Sequence, residues 1–411
     1  MTPDKSDKSD KSDKPLSFVD ADGHILEHPT EMLDYAPRAY RDRIWHIETE
    51  TDGTQWCVLD DRRIRANGMS MAGVAGMGEE ARERARRGEL KYTEVRPAAY
   101  CAKPRLADMD TEGIERSVLY PTLLLGIAGL PDAKFAAIQC RAYNDWLSDH
   151  VRDSAGRLFG VAIVAQQDIG LAAKEIERVS KLSGIVGIML RPNPSADWRP
   201  MNDAAYDPLW RAASEADLPI GFHPFQAADL PGACLGLRLN EVGRREDAPI
   251  INEALAAINI DNIFFTQAIS NPIDMMNTIA FTVAGGVCER FPNLRLAFLE
   301  ANGGWIVSWL ERLDHQYEIF PWDTPGLDMK PSEYFRRQCW ISFDPDESLL
   351  AFSANSPLCG ADRIVWASDY PHADAIFPGT TKELSVAMAT LRPEQQADIA
   401  GHNARALYQL E

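Results

Sequence analysis

The stretch "LSFVDADGHILE", residues 16–27, decides the fold. It opens on apolar and β-forming residues, as a strand does, and then carries Asp20, Asp22, His24 and Glu27 within eight positions. A strand entering a core does not ordinarily carry that charge, because unpaired buried ions are costly. A doubly wound sheet would place a glycine-rich phosphate loop after its first strand. Here the first strand ends in Asp, His and Glu instead, and neither GxGxxG nor GxxxxGK[ST] occurs anywhere. The glycine-rich "GMSMAGVAGMG", residues 68–78, has no strand before it and no Lys-Ser/Thr after it.

Working outward, seven further β-branched or apolar runs follow, each leading into helical periodicity. They are "RSVLYP" (116–121), "LFGVAIV" (158–164), "IVGIMLRP" (185–192), "LPIGFHPF" (218–225), "LRLAFLEA" (294–301), "CWISFDP" (339–345) and "RIVWASDYP" (363–371). Alternating strand and helix implies parallel pairing with right-handed crossovers. Eight such units predict an α/β fold, a (β/α)8 TIM barrel, spanning residues 16–411. Two segments interrupt the alternation and are read as insertions after the first and fifth strands. Residues 30–110 hold "WHIETETDGTQWCVLDD", a hairpin about an Asp-Gly turn, and "EEARERARRGELKY", a charged exposed helix. Residues 226–270 hold "LPGACLGLRL" and "FFTQAISNPIDMMN". Long loops on a barrel commonly serve as lids over its active face.

Composition narrows the class. The chain has 411 residues, 45% of them hydrophobic and 25% charged, the balance of a globular protein that needs no disulfides. Its formal charge of −19 opposes a general nucleic-acid or anionic-membrane binder. No apolar run is long enough to cross a bilayer. Residues 1–15 repeat Lys-Ser-Asp three times, have nothing to bury and lack a signal-peptide core, so a disordered tail is expected. Seven scattered cysteines (57, 101, 140, 234, 288, 339 and 359), without a CxxC pair, point to reduced thiols and a cytoplasmic protein.

In a barrel of this kind, polar residues at strand C-terminal ends carry the chemistry. Asp20, Asp22 and His24 alternate, so they share one face, and Glu27 follows in the loop. Asp20 is read as a buried partner for a backbone amide or an arginine. His223 ends the fifth strand, Glu300 the sixth and Asp369 the eighth, with His372 three residues later. Each has a plain structural reading taken singly: a core histidine, a helix cap, a turn residue. Together they gather several charges at one mouth, which a bound cation resolves. His28, His46, His150, His315 and His402 are read as surface or packing residues, and the tryptophans of "GGWIVSW" as helix core. Arg191, ending the fourth strand, is a candidate for a substrate carboxylate.

The motifs "DADGH", "GFHP", "FLEANGGWIVSWLERLD", "WASDYPH" and "GHNARALY", in this order, resemble the amidohydrolase superfamily. The closest branch is amidohydrolase-2, the aminocarboxymuconate-semialdehyde-decarboxylase-like group. The resemblance covers residues 18–410 apart from the insertions. It implies a metal at the C-terminal mouth, with Asp22 and His24 as the first-strand pair, His223 as the fifth-strand ligand, and Asp369 as ligand and proton-transfer group. Asp22 stands where His or Glu is usual, and Glu300 where the decarboxylases often have His.

Asp22, His24, Glu27, His223, Glu300, Asp369 and His372 make seven candidate ligands, more than one zinc ion takes. Two ions about 3.5–4 Å apart would use them, and carboxylate-rich sites favour iron or manganese. The pattern resembles the dinuclear nonheme-iron hydroxylases related to this superfamily. The leading expectation is thus a di-iron monooxygenase hydroxylating a small organic acid or acyl substrate with O2. Glu300 would bridge the irons, Asp369, Glu300 and His223 would be the catalytic residues, and an external electron donor would be required. The alternative is a redox-neutral decarboxylase or hydrolase with one zinc or manganese ion. A homo- or hetero-oligomer is expected in either case.

Overall fold

Eight parallel strands run in the order in which the chain makes them. The computed structural model describes residues 15–192, 199–225 and 263–411. The barrel strands are β1 (Phe18–Ile25), β5 (Ile114–Pro121), β6 (Leu158–Ile163), β7 (Ile185–Leu190), β8 (Ile220–Phe222), β9 (Leu296–Phe298), β10 (Cys339–Phe343) and β11 (Ile364–Trp366). Each hydrogen-bonds to the next in that order. All eight coincide with the runs read from the sequence. Their near-continuous burial is the signature of strands covered on both faces.

Helices between the strands supply the outer layer. The longest, Ala133–Arg152, begins at Asp132, whose carboxylate accepts from the amides of Lys134 and Phe135. Ile169–Val179 is capped in the same way by Asp168 on the amide of Leu171. The last helix, Asn403–Tyr408, returns to the first strand: the Tyr408 hydroxyl donates to Ala21 O at 2.9 Å.

Polar contacts join β11 back to β1. Ser368 donates to Asp20 through its amide at 3.0 Å and its hydroxyl at 2.7 Å, and Ser117 of β5 donates to the same carboxylate at 2.8 Å. Backbone bonds from His24 N to Tyr370 O (2.8 Å) and Asp369 N to Asp22 O (3.2 Å) continue the seam. Here β1 also slips register, between Asp20 and Gly23. A Cβ at Gly23 would lie 2.5 Å from Asp20 Oδ2 and 2.9 Å from Arg105 Nη2, so only glycine fits the slip.

The first insertion holds the expected hairpin, β2 (His46–Thr49) with β3 (Gln55–Leu59). A third antiparallel strand that the sequence pattern did not reveal, β4 (Arg62–Arg65), completes a small sheet. The charged helix follows at Glu79–Arg86. The helix Ala102–Glu112, included in the expected insertion, leads directly into β5 through Gly113 at φ +70°. Most of the second insertion, with "LPGACLGLRL", lies outside the described residues, as does the Lys-Ser-Asp tail. The part from Ile263 on is helical and continues into Asn271–Ile279. Among the described residues no helix is long and apolar enough to cross a membrane, and the six cysteines are free.

Candidate metal centre

The register slip in β1 separates residues that simple alternation would keep together. Asp20 serves the seam, as the reading of it as a buried partner anticipates, and burial pushes its carboxyl upward against the pull of Ser368 and Arg105. Asp22, within the slip, and His24, just past it, face the mouth, and both are buried.

The two central imidazoles are oriented from behind. His24 Nδ1 lies 2.8 Å from Pro121 O, and His223 Nδ1 lies 2.8 Å from Pro224 O. A carbonyl accepts only, so each ring donates through Nδ1 and turns Nε2 toward the mouth. The two Nε2 atoms approach to 3.1 Å. Around them stand Asp369 Oδ1, 3.3 Å from His24 Nε2, and Glu300 Oε2, 2.9 Å from His223 Nε2. Asp22 Oδ1 is 3.6 Å from His24 Nε2 and 3.9 Å from His223 Nε2. Asp22 Oδ1 and Asp369 Oδ1 are buried without a hydrogen-bond donor. Asp369 Oδ1 is also 2.7 Å from His372 Nδ1, out of hydrogen-bond alignment.

Electrostatics state the same conflict. Burial holds His24 well below its ordinary value, helped by His372 and His223. Burial raises Asp22 and Asp369 well above the usual carboxylate range, reinforced for Asp22 by Asp369 and Glu300, and for Asp369 by Asp374 and Glu300. Burial opposes charge on His223, yet Glu300 and Asp22 outweigh it and the net direction is upward. Burial likewise opposes charge on Glu300, and His223 outweighs it, so Glu300 moves down. A proton on His223 Nε2 satisfies Glu300 alone. A cation satisfies both imidazoles and the two orphaned carboxylate oxygens together, so this donor set fits a divalent metal. Asp22, His24 and His223 form one tight group, and His24, Asp369 and His372 another.

Glu27 is drawn elsewhere, which corrects its place among the ligands. Its Oε1 accepts from the amides of Thr122 (3.1 Å) and Leu124 (2.8 Å), and its Oε2 from Leu123 (3.0 Å). A carboxylate saturated by three amides has little left for a metal. Glu300 is not the cap of the following helix. The helix Ile306–Ile319 has no side-chain cap, and Glu347 accepts from the amides of Gly303 and Gly304 just before it. Arg191 is buried at the end of β7, with its guanidinium 5.5 Å from the ring of Phe225. Trp305 and Trp309 pack on the core and donate to Ala301 O and Met276 O, as helix-core residues do. His402, read as a packing residue, is exposed beside Asp398.

Three positions escaped the sequence reading. Asp344, just past β10 in "SFDP", lines the mouth with Asp22, Glu300, Asn302, Asp369 and Asp374. The rule that found Asp369, a polar residue at a strand's C-terminal end, applies to it equally. Arg105 donates to His24 O (3.0 Å) and Tyr370 O (3.2 Å), and Thr122 meets His372 Nε2 at 3.2 Å. Neither carries a local signal, since Arg105 sits on a helix and Thr122 in a loop. Glu300, Asn302 and Asp369 hold φ of +45°, +52° and +51°. Such conformations in non-glycine residues cost energy and gather at functional sites.

The amidohydrolase family profile matches residues 102–410. Gamma-resorcylate decarboxylase of a Polaromonas species is 25% identical over 288 residues, covering 67% of this chain and 80% of its own. An amidohydrolase from Mycobacterium avium subsp. paratuberculosis superposes with a TM-score of 0.68 at 19% identity, covering 96% of this chain and 100% of its own. 5-Carboxyvanillate decarboxylase of Novosphingobium aromaticivorans, complexed with manganese and a nitrobenzoic acid, gives 0.62 at 20% identity, covering 96% of both chains. These relatives correct the leading functional expectation. The named activities are decarboxylations and the metal beside one of them is manganese, so the reading as a di-iron monooxygenase gives way, and with it the need for an external electron donor. The strand order, the mouth-facing histidines and carboxylates, and the profile match agree: the chain belongs to the amidohydrolase family, in its amidohydrolase-2 branch.

Proposed function

We propose that this chain is a metal-dependent decarboxylase of a small carboxylic acid. The observation that carries the reading is the convergence of His24 Nε2, His223 Nε2, Asp22 Oδ1 and Asp369 Oδ1, with both carboxylate oxygens buried and without a hydrogen-bond partner. The relatives supply the reaction class. Two imidazoles with carboxylates and no thiolate suit one divalent ion of the manganese kind, with Glu300 beside it. Asp22, His24, His223 and Asp369 would hold that ion, which would supply Lewis-acid stabilisation of the negative charge that grows as CO2 departs.

The chain's own groups do the rest. Pro121 O and Pro224 O hold the two imidazoles so that neither ring must turn on loading. Asp369, just past β11 and beside the His24 imidazole, delivers a proton to the carbon that loses CO2. The C–C bond breaks, its electron pair takes that proton, and a solvent proton restores the acid. Arg191 is assigned to an acidic group of the substrate. The acidic mouth, with Asp344 and Asp374, favours substrates that present hydroxyl or amino donors on the far side.

The test loads purified chain with Mn²⁺ and offers a panel of hydroxybenzoic acids, gamma-resorcylate included, under argon. Release of CO2 with about one metal per chain supports the reading. Metal-loaded protein that releases no CO2 from any acid of the panel, or that turns over only with O2, overturns it.

A further inference from the structure

His372 is oriented by a device that none of the foregoing chemistry assigns. Its Nδ1 faces Asp369 Oδ1 at 2.7 Å, and its Nε2 faces Thr122 Oγ1 at 3.2 Å. The Thr122 hydroxyl has one hydrogen, and it donates that hydrogen to Ile25 O at 2.9 Å. Toward His372 it can therefore only accept, so the imidazole donates from Nε2. A neutral ring protonated at Nε2 carries its lone pair on Nδ1, the nitrogen on the Asp369 side. Thr122 is itself held. It opens the loop after β5, whose three successive amides, of Thr122, Leu123 and Leu124, all point at the fully buried carboxylate of Glu27. Those amides would otherwise be buried without acceptors, and Glu27 gathers them into one conformation.

We infer that Thr122, clamped by Glu27, is a positioning residue for the Asp369–His372 pair. It holds His372 in the Nε2–H tautomer, so that Nδ1, the ring nitrogen on the Asp369 side, is the one without a hydrogen. The His372 ring also packs against His24, with centroids 4.2 Å apart and planes 33° apart, which limits its movement. The link to catalysis rests on the decarboxylase reading, whereas the tautomer does not.

The test has two arms. In the first, metal-free chain labelled with ¹⁵N-histidine is studied by long-range ¹H–¹⁵N NMR, with His372 assigned by its loss in His372→Gln. Wild type and Thr122→Ser should show the Nε2–H pattern, and Thr122→Val, which keeps the shape without the acceptor, should lose it. In the second arm, Thr122→Val should lower kcat for CO2 release about 10–100-fold with KM held within about twofold, and Thr122→Ser should restore it. An Nδ1–H ring in wild type, or an unchanged ring in Thr122→Val, overturns the inference. If the wild type decarboxylates nothing, the functional reading fails while the NMR arm still decides the tautomer.

Discussion

Asp22 shows the site's logic in one side chain. It is 1% exposed, and its Oδ1, 3.6 Å from His24 Nε2 and 3.9 Å from His223 Nε2, has no hydrogen-bond partner. A carboxylate so placed destabilises the metal-free fold and becomes useful only when a cation arrives. Asp22→Asn should therefore act in opposite directions on two measurements. Metal content after Mn²⁺ loading should fall to near zero. In chelator at pH 8 the variant should be more stable than wild type by about 1–3 kcal/mol, because an amide donor replaces a buried charge. Full metal retention, or a lower urea midpoint than wild type, would remove Asp22 from the ligand set. Asp369→Asn tests the neighbouring role. It should cost about 10²–10⁴-fold in kcat if Asp369 delivers the proton, and an activity within about threefold of wild type would reassign that step.

At the scale of the element, β1 does two jobs, and the bulge between Asp20 and Gly23 separates them. Before it, Asp20 ties β5 and the residues after β11 to the strand; within and after it, Asp22 and His24 turn to the group that could hold a metal. Gly23→Ala should cost about 1–3 kcal/mol by overpacking against Asp20, Ser117 and Arg105. Denaturant midpoints measure this, and a neutral result would mean that the slip relaxes freely. The strand runs were legible because parallel strands buried on both faces show as apolar stretches, and all eight lie where those stretches fall. The mouth residues were legible because they end strands. What was not legible depends on contacts distant in sequence. Asp20 and Asp22 share one alternating pattern, and only the slip tells them apart. Glu27 looks like a ligand until its three amide donors, about a hundred residues further on, come to it. The third strand of the small sheet, Arg62–Arg65, is one apolar residue among arginines, and the cross-strand ladder that makes it a strand has no local signature.

For the whole molecule, the mouth is a store of like charge that loading should discharge. Metal at about a hundred times its Kd should stabilise the fold by about 2.7 kcal/mol, so chelation should lower Tm measurably. The same store sets the pH dependence of the metal-free chain. Burial pushes Asp344 up to about 7, with Glu347, Glu300, Asp374 and Asp346 adding to the rise. In the unfolded chain an aspartate ionises near pH 3.9, so between about 4 and 7 the folded state holds a proton that the unfolded state has released. Stability contributed by this group is complete below that window and is lost as pH rises through it, at up to about 1.4 kcal/mol per pH unit. Asp22 and Asp369, raised by burial, push in the same direction. His24, His150 and His372, held below the ordinary imidazole value by burial, work the other way and add stability as pH rises. The share of Asp344 is therefore read as a difference: between pH 5 and pH 8 the urea midpoint of metal-free Asp344→Asn, which cannot ionise, should gain on that of the wild type. A difference that stays constant across this range would show that Asp344 ionises in the folded chain as it does in the unfolded one.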